Sequence, residues 1–143
     1  MYKLFASLSF LLILSCNSSQ HISSDKVPEA AKSAFAKLWP GATITEWEKQ
    51  GSHYEASGKK EGKSVSATLK SNGTLLESEV EVIHEVLPQI ALSYMKQHCP
   101  GVDIREISRL TKADGSVQYE VEADDKHLFF SADGKFLKEK NED

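Results

Sequence analysis

The feature that most constrains this chain is an echo. His98 to Glu106 reads HCPGVDIRE, and about sixty residues earlier Leu38 to Glu46 reads LWPGATITE. The correspondence runs outward from there. Leu87-Pro88 matches Val27-Pro28, and Leu87, Ala91, Tyr94, Met95 and His98 take the places of Val27, Ala31, Ala34, Phe35 and Leu38. In each set these residues fall on one face of a helix. Each helix opens with a proline, whose missing N–H costs nothing in the first turn, and stops at Pro-Gly. Tyr119-Glu120 matches Tyr54-Glu55, Asp133-Gly134 matches Asn72-Gly73 as a turn, and Phe136-Leu137 matches Leu75-Leu76.

Between these landmarks the period changes from that of a helix to that of strands. Thr43 to Glu48, His53 to Gly58, Ser64 to Lys70 and Thr74 to Val82 read as strands. In the third, Val65, Ala67 and Leu69 alternate with Ser64, Ser66, Thr68 and Lys70. In the fourth, Leu76, Val80 and Val82 lie opposite Glu77, Glu79 and Glu81. Lys59 to Lys63 is a loop, and Asn72-Gly73 signals a two-residue hairpin. Only one side of each strand is apolar, so the helices belong on one face. Tyr119, Val121, Ala123, Leu128 and Phe130 are expected toward the helices. Gln118, Glu120, Glu122, His127 and Phe129 are expected on the open side.

The fold class expected is therefore α+β: a tandem repeat of helix plus four-stranded antiparallel sheet, α-β-β-β-β twice, helices on one face. One such unit of about sixty residues has a thin core. Two units bury what each leaves open, by sharing a longer sheet or by packing side by side. Trp47 is out of phase with Ile44, so either a bulge re-aims it or it lies on the open face.

The start of the chain is different in kind. Lys3 precedes a run from Leu4 to Leu14 that is apolar apart from Ser7 and Ser9. That is shorter than the ~20 residues of a bilayer span and fits the h-region of a secretory signal. It ends in Ile13-Leu14-Ser15-Cys16, which resembles the bacterial lipoprotein box, with Ile13 where leucine is usual. The resemblance makes residues 1–15 a signal peptide and Cys16 a lipidated N-terminus. Residues 16–26, polar and serine-rich, read as a flexible tether with His21 in solvent. Residues 27–86 and 87–140 are then the two repeats. Cys99 has no partner left and stands where Trp39 does, so a packing role beside the helix end outweighs a reactive thiol.

Composition excludes more than it assigns. The net charge is −4, with no basic stripe, which argues against nucleic acid. No serine sits in a G-x-S-x-G elbow, and no histidine pair has H-E-x-x-H spacing. The Asp124-Asp125 and Asp114-Gly115 pairs are turn chemistry and fall short of a calcium loop. The run Glu77, Glu79, Glu81 reads as a solvated strand face, with cation binding as the alternative. No catalytic residue, metal ligand set or cofactor motif is expected.

The ordered set Pro100-Gly101, Ile104 with Glu106, Tyr119-Glu120-Val121-Glu122, and Phe130 through Leu137 resembles the PepSY-like family of exported bacterial proteins, related to beta-lactamase inhibitory protein. The resemblance implies tandem α-β-β-β-β units whose open sheet face is a ligand surface, in a non-enzymatic binding or inhibitory role. Its ligand-binding candidates here are Trp47, Glu55, Glu120, Glu122, His127 and Phe129. The expected setting is the bacterial envelope, facing periplasm or cell surface, with the lipid on Cys16 as membrane contact and an envelope protein or peptide as partner. A peptidase or other hydrolase is one candidate target. Two other roles fit the residues: a cation or small-ligand scavenger, and a passive structural envelope lipoprotein.

Overall fold

The computed structural model describes residues 19–141. The signal-peptide and lipidation expectations, including Cys16, lie outside the described residues. The helix α1 (Glu29–Leu38) is followed by strands β2 (Thr43–Gln50), β3 (His53–Lys60), β4 (Lys63–Lys70) and β5 (Leu75–Glu81). Then come α2 (Gln89–His98), β6 (Ile104–Lys112), β7 (Val117–Ala123), β8 (Lys126–Ser131) and β9 (Phe136–Asn141). A two-residue strand, β1 (Gln20–His21), precedes them all.

The expectation of two four-stranded sheets is corrected. All nine strands form one antiparallel sheet in the order β1 to β9. The join is β5 with β6, where Glu77 pairs with Lys112, Glu79 with Leu110 and Glu81 with Ser108. Two separate sheets would leave the inner edges of β5 and β6 as rows of unpaired N–H and C=O groups. Pairing them satisfies those groups and removes two edges. The tether expectation is corrected for its described residues, 19–26. Gln20 and His21 pair with Lys49 and Glu48, Ser24–Lys26 forms a 3-10 turn, and Val27 is buried.

The sheet is continuous, but its core is double. Under α1 lie Val27, Ala31, Phe35, Trp47, Ala56, Val65, Ala67 and Leu69. Under α2 lie Leu87, Ala91, Met95, Ile107, Val121, Ala123, Leu128 and Phe130. Both helices cover the same face. Tyr94 ties the second core together, stacked on Phe136 at 4.5 Å and edge-on to Phe130 at 5.7 Å. Cys99 is partly buried against this core, its backbone N–H donating to the Met95 carbonyl at 2.9 Å.

Two local geometries differ from the simplest sequence reading. The turn at Asn72-Gly73 has positive φ at Gly73 only (84°), so it is not the two-residue type with both centres left-handed. Lys70 N donates to Thr74 O, and Gly73 N to Lys70 O, as in a wider turn closed by a left-handed glycine. Two-residue hairpins instead join Gln50 to His53, Lys60 to Lys63 and Ala123 to Lys126; Glu61-Gly62 has φ angles of 52° and 82°. Gly134 (φ 89°) closes the β8–β9 turn against α2, where an added Cβ would stand 2.7 Å from Pro88 Cβ.

Trp47 is decided by a bulge. The β2–β3 register slips between Ile44 and Glu46, and Trp47 turns to the helix side. It is 4% exposed and meets Phe35 edge-on at 6.1 Å. Among the described residues its indole Nε1 is buried without a hydrogen-bond partner. A matching slip occurs between Ile104 and Glu106 in β6.

Candidate functional site

The face opposite the helices is built by register. One cross-strand row runs Glu48, Glu55, Thr68, Glu77, Lys112 from β2 to β6. Another runs Ser66, Glu79, Leu110, Gln118 from β4 to β7. A third runs Glu81, Ser108, Glu120, Phe129, Lys138 from β5 to β9, and a fourth Glu106, Glu122, His127, Lys140 from β6 to β9. With Glu46 beside Glu48 on β2, the face gathers carboxylates from β2, β3, β5, β6 and β7.

These carboxylates are not solvated. Glu48, Glu55, Glu77, Glu79 and Glu120 are all buried, and Thr68 and Ser108 between them are buried too. Each is flanked by cross-strand neighbours on both sides. This corrects the expectation of a solvated face at Glu77 and Glu79; Glu81 is half-buried.

Some of the charge is answered. Lys112 pairs with Glu77, and His21 pairs with Glu46 and lies 3.7 Å from Glu48 through Nε2. Ser19 Oγ hydrogen-bonds Glu48. His127 Nδ1 lies 2.7 Å from Glu120 Oε1. Ser64 Oγ and Ser108 Oγ each donate to Glu106 at 3.2 Å.

The remainder appears as displaced proton affinities. Glu55 is 5% exposed. Its own burial, then the charges of Glu48, Glu79, Glu46 and Glu120, push its pKa up to about 8. Gln50 Nε2 donates to its Oε2 at 3.1 Å. Burial and the neighbouring Glu81 raise Glu106. Burial and Glu106 raise Glu122, with His127 and Arg105 opposing. Burial pulls the Lys112 ammonium down, and Lys138 adds to it. A cation arriving over this face relieves repulsion that is otherwise relieved by protons.

Of the sequence candidates, Glu55, Glu120, Glu122, His127 and Phe129 share this face. Trp47 does not, which withdraws the aromatic anchor it offered. Phe129 is on the expected side but only 6% exposed, with the ammonium groups of Lys138 and Lys140 4.7 Å and 5.4 Å from its ring centre. It is a floor under two lysines, not a protruding contact. Sequence reasoning missed Glu48 and Leu110 on this face. Alternation within each strand is the signal that could have found them, once the Thr45 and Arg105 bulges are placed.

Two solved structures share the architecture. One is a protein from Bacteroides eggerthii described as periplasmic, with TM-score 0.70, 12% identity, and coverage of 80% of this chain and 88% of that one. At that identity the likeness shows the fold alone. The other is described as a BLIP-like protein from Bacteroides fragilis, with TM-score 0.62, 26% identity, and coverage of 80% and 86%. No curated protein matches the chain. One antiparallel sheet with both helices on one side is thus the fold this chain shares with a BLIP-like protein. Among the described residues no helix is long and apolar enough to cross a membrane.

The particular family follows from the sequence profile. The profile described as beta-lactamase-inhibitor-like, PepSY-like matches residues 14–77 and 70–138, and the chain belongs to this PepSY-like family.

Proposed function

We propose that this chain is a non-catalytic binding module of the bacterial envelope, which grips a lysine- or arginine-bearing segment of a protein or peptide through its open sheet face. The observation that carries the reading is the burial of Glu48, Glu55, Glu79 and Glu120 on a face that neither helix covers. Desolvated carboxylates gain more from an incoming cation than solvated ones do, because the surrounding medium screens the attraction less. A target whose basic segment borders a hydrolase cleft would be inhibited by being covered.

The setting belongs to the same proposal. Residues 1–15 act as a signal peptide, Cys16 carries the lipid, and the folded part stands in the periplasm or at the cell surface, the outer membrane included. Several acyl chains at ~0.8 kcal/mol per buried methylene make a lasting anchor. Residues 27–86 and 87–140 descend from one duplicated unit, a reading supported by matching bulges after Ile44 and Ile104.

The test is titration of the full chain in detergent with a labelled Lys/Arg-rich peptide, followed by anisotropy. Binding is expected to weaken with salt and to be lost in a Glu79→Lys, Glu120→Lys double variant that keeps its circular dichroism. Equal affinity for an acidic peptide of the same length would refute the proposal.

A further inference from the structure

Near the β9 edge the open face changes character. Glu122 and His127 stand opposite each other across β7 and β8, and Glu120 lies two residues along β7 on the same side. His127 Nδ1 is 2.7 Å from Glu120 Oε1 and 3.9 Å from Glu122 Oε1. One ligand atom from each residue lies within 4.8 Å of the other two. The side chains of His127, Glu120 and Glu122 are 13%, 6% and 19% exposed. Two carboxylates converging on one imidazole nitrogen, shielded from water, exceed what a simple ion pair needs.

The spacing has a chemical reading. Metal–ligand bonds of about 2.1 Å set ligand atoms roughly 3.4 Å apart in a tetrahedral shell. The two separations at Nδ1 bracket that value, and the two carboxylates lie no more than 4.8 Å apart, so an ion could enter with side-chain adjustments on the order of 1 Å. The imidazole selects among cations: a nitrogen donor suits zinc-class ions, whereas calcium and magnesium take oxygen shells. The charges around it are Glu106 opposite Glu122, Arg105 near Glu122, and Lys140 opposite His127.

The molecule supplies two internal contrasts. At the corresponding register of β3 and β4, Ser57 pairs with Ser66, so the equivalent place holds neither the histidine nor the second carboxylate. The other histidine–glutamate group, His21 with Glu46 and Glu48, lies at the β1 edge with its imidazole 76% exposed. Among the described residues, only the β7–β8 group combines convergence with shielding.

We propose that Glu120, Glu122 and His127 form a binding site for a divalent zinc-class metal ion, with water completing its shell. The site shares Glu120 with the proposed grip for basic segments but is tested separately, since metal binding is measured with no peptide present. The experiment uses the full chain in detergent, stripped with a chelator, titrated with Zn²⁺ by calorimetry and with Co²⁺ by visible absorption. One ion per chain is expected, with cobalt ligand-field bands, and with no displacement by a large excess of Ca²⁺ or Mg²⁺. His127→Gln and Glu120→Gln should each weaken binding by at least about tenfold, the scale on which disturbed metal sites respond. His21→Gln should leave it unchanged. Should the His127 variant misfold, the imidazole resonances of the unaltered chain serve instead: Zn²⁺ must move those of His127 and spare those of His21. No stoichiometric binding, equal loss in His21→Gln, or unmoved His127 resonances would overturn the assignment.

Discussion

Replacing Glu55 with Gln offers the sharpest test of the buried face. Glu55 has an ordinary value of 4.5 and is pushed to about 8 in the folded chain, first by burial and then by Glu48, Glu79, Glu46 and Glu120. Because the folded state holds the proton more tightly, the stability contributed by this group is fully present below pH 4.5 and lost as pH rises through 8. Between those values the loss is about 1.4 kcal/mol per pH unit, or about 5 kcal/mol as an upper bound over the whole window. Gln is close in shape to the protonated acid and keeps an oxygen for the Gln50 amide. The variant should therefore match the parent chain near pH 4.5 and exceed it by several kcal/mol at pH 9. Glu106 and Glu122, also raised, push both chains in the same direction and largely cancel in the difference. Urea unfolding followed by tryptophan fluorescence at pH 4.5, 6, 7.5 and 9 measures that difference directly. A gap that stays constant with pH, within the roughly 0.5 kcal/mol scatter of such comparisons, would refute the argument that crowded buried carboxylates hold a proton on Glu55.

Gly134→Ala forces a side chain into a left-handed turn 2.7 Å from Pro88 Cβ and should cost about 2–3 kcal/mol in chemical unfolding. Gly41→Ala, with φ 79° and open space around it, should cost only about 1 kcal/mol, leaving the conformational part alone. Trp47→Ala should destabilise by about 3–5 kcal/mol yet leave peptide binding intact, because its ring faces Phe35. Trp47→Phe should cost less than the loss of an indole implies, since the buried N–H has no partner to forfeit. Cys16→Ser should abolish incorporation of radiolabelled fatty acid in a bacterial host, while the variant still unfolds cooperatively.

Much of the open face was legible from alternation. The strand period assigned Glu120, Glu122, His127 and Phe129 to one side and Val121, Leu128 and Phe130 to the other, because successive side chains must alternate. Trp47 escaped this logic. Whether a residue is added to one strand of a pair depends on the partner's hydrogen bonds, which the local sequence does not carry. Burial escaped it too. Glu77 and Glu79 read as solvated because charged strand faces usually are; in the sheet they are buried between neighbours on β4 and β6 that only the register brings beside them.

The amino-acid order by itself determined the helices, the positions of the turns and the two greasy stripes. Each rests on interactions within a few residues: proline and glycine at the helix ends, a period of two in the strands, glycine where φ must be positive. Tertiary structure alone decided that β5 and β6 join, that Gln20 and His21 add an edge, and that glutamates from five strands crowd together. Backbone N–H and C=O groups are the same in every residue, so strand edges carry no side-chain signature of their partner. Electrostatic crowding, likewise, exists only once register has brought distant residues side by side.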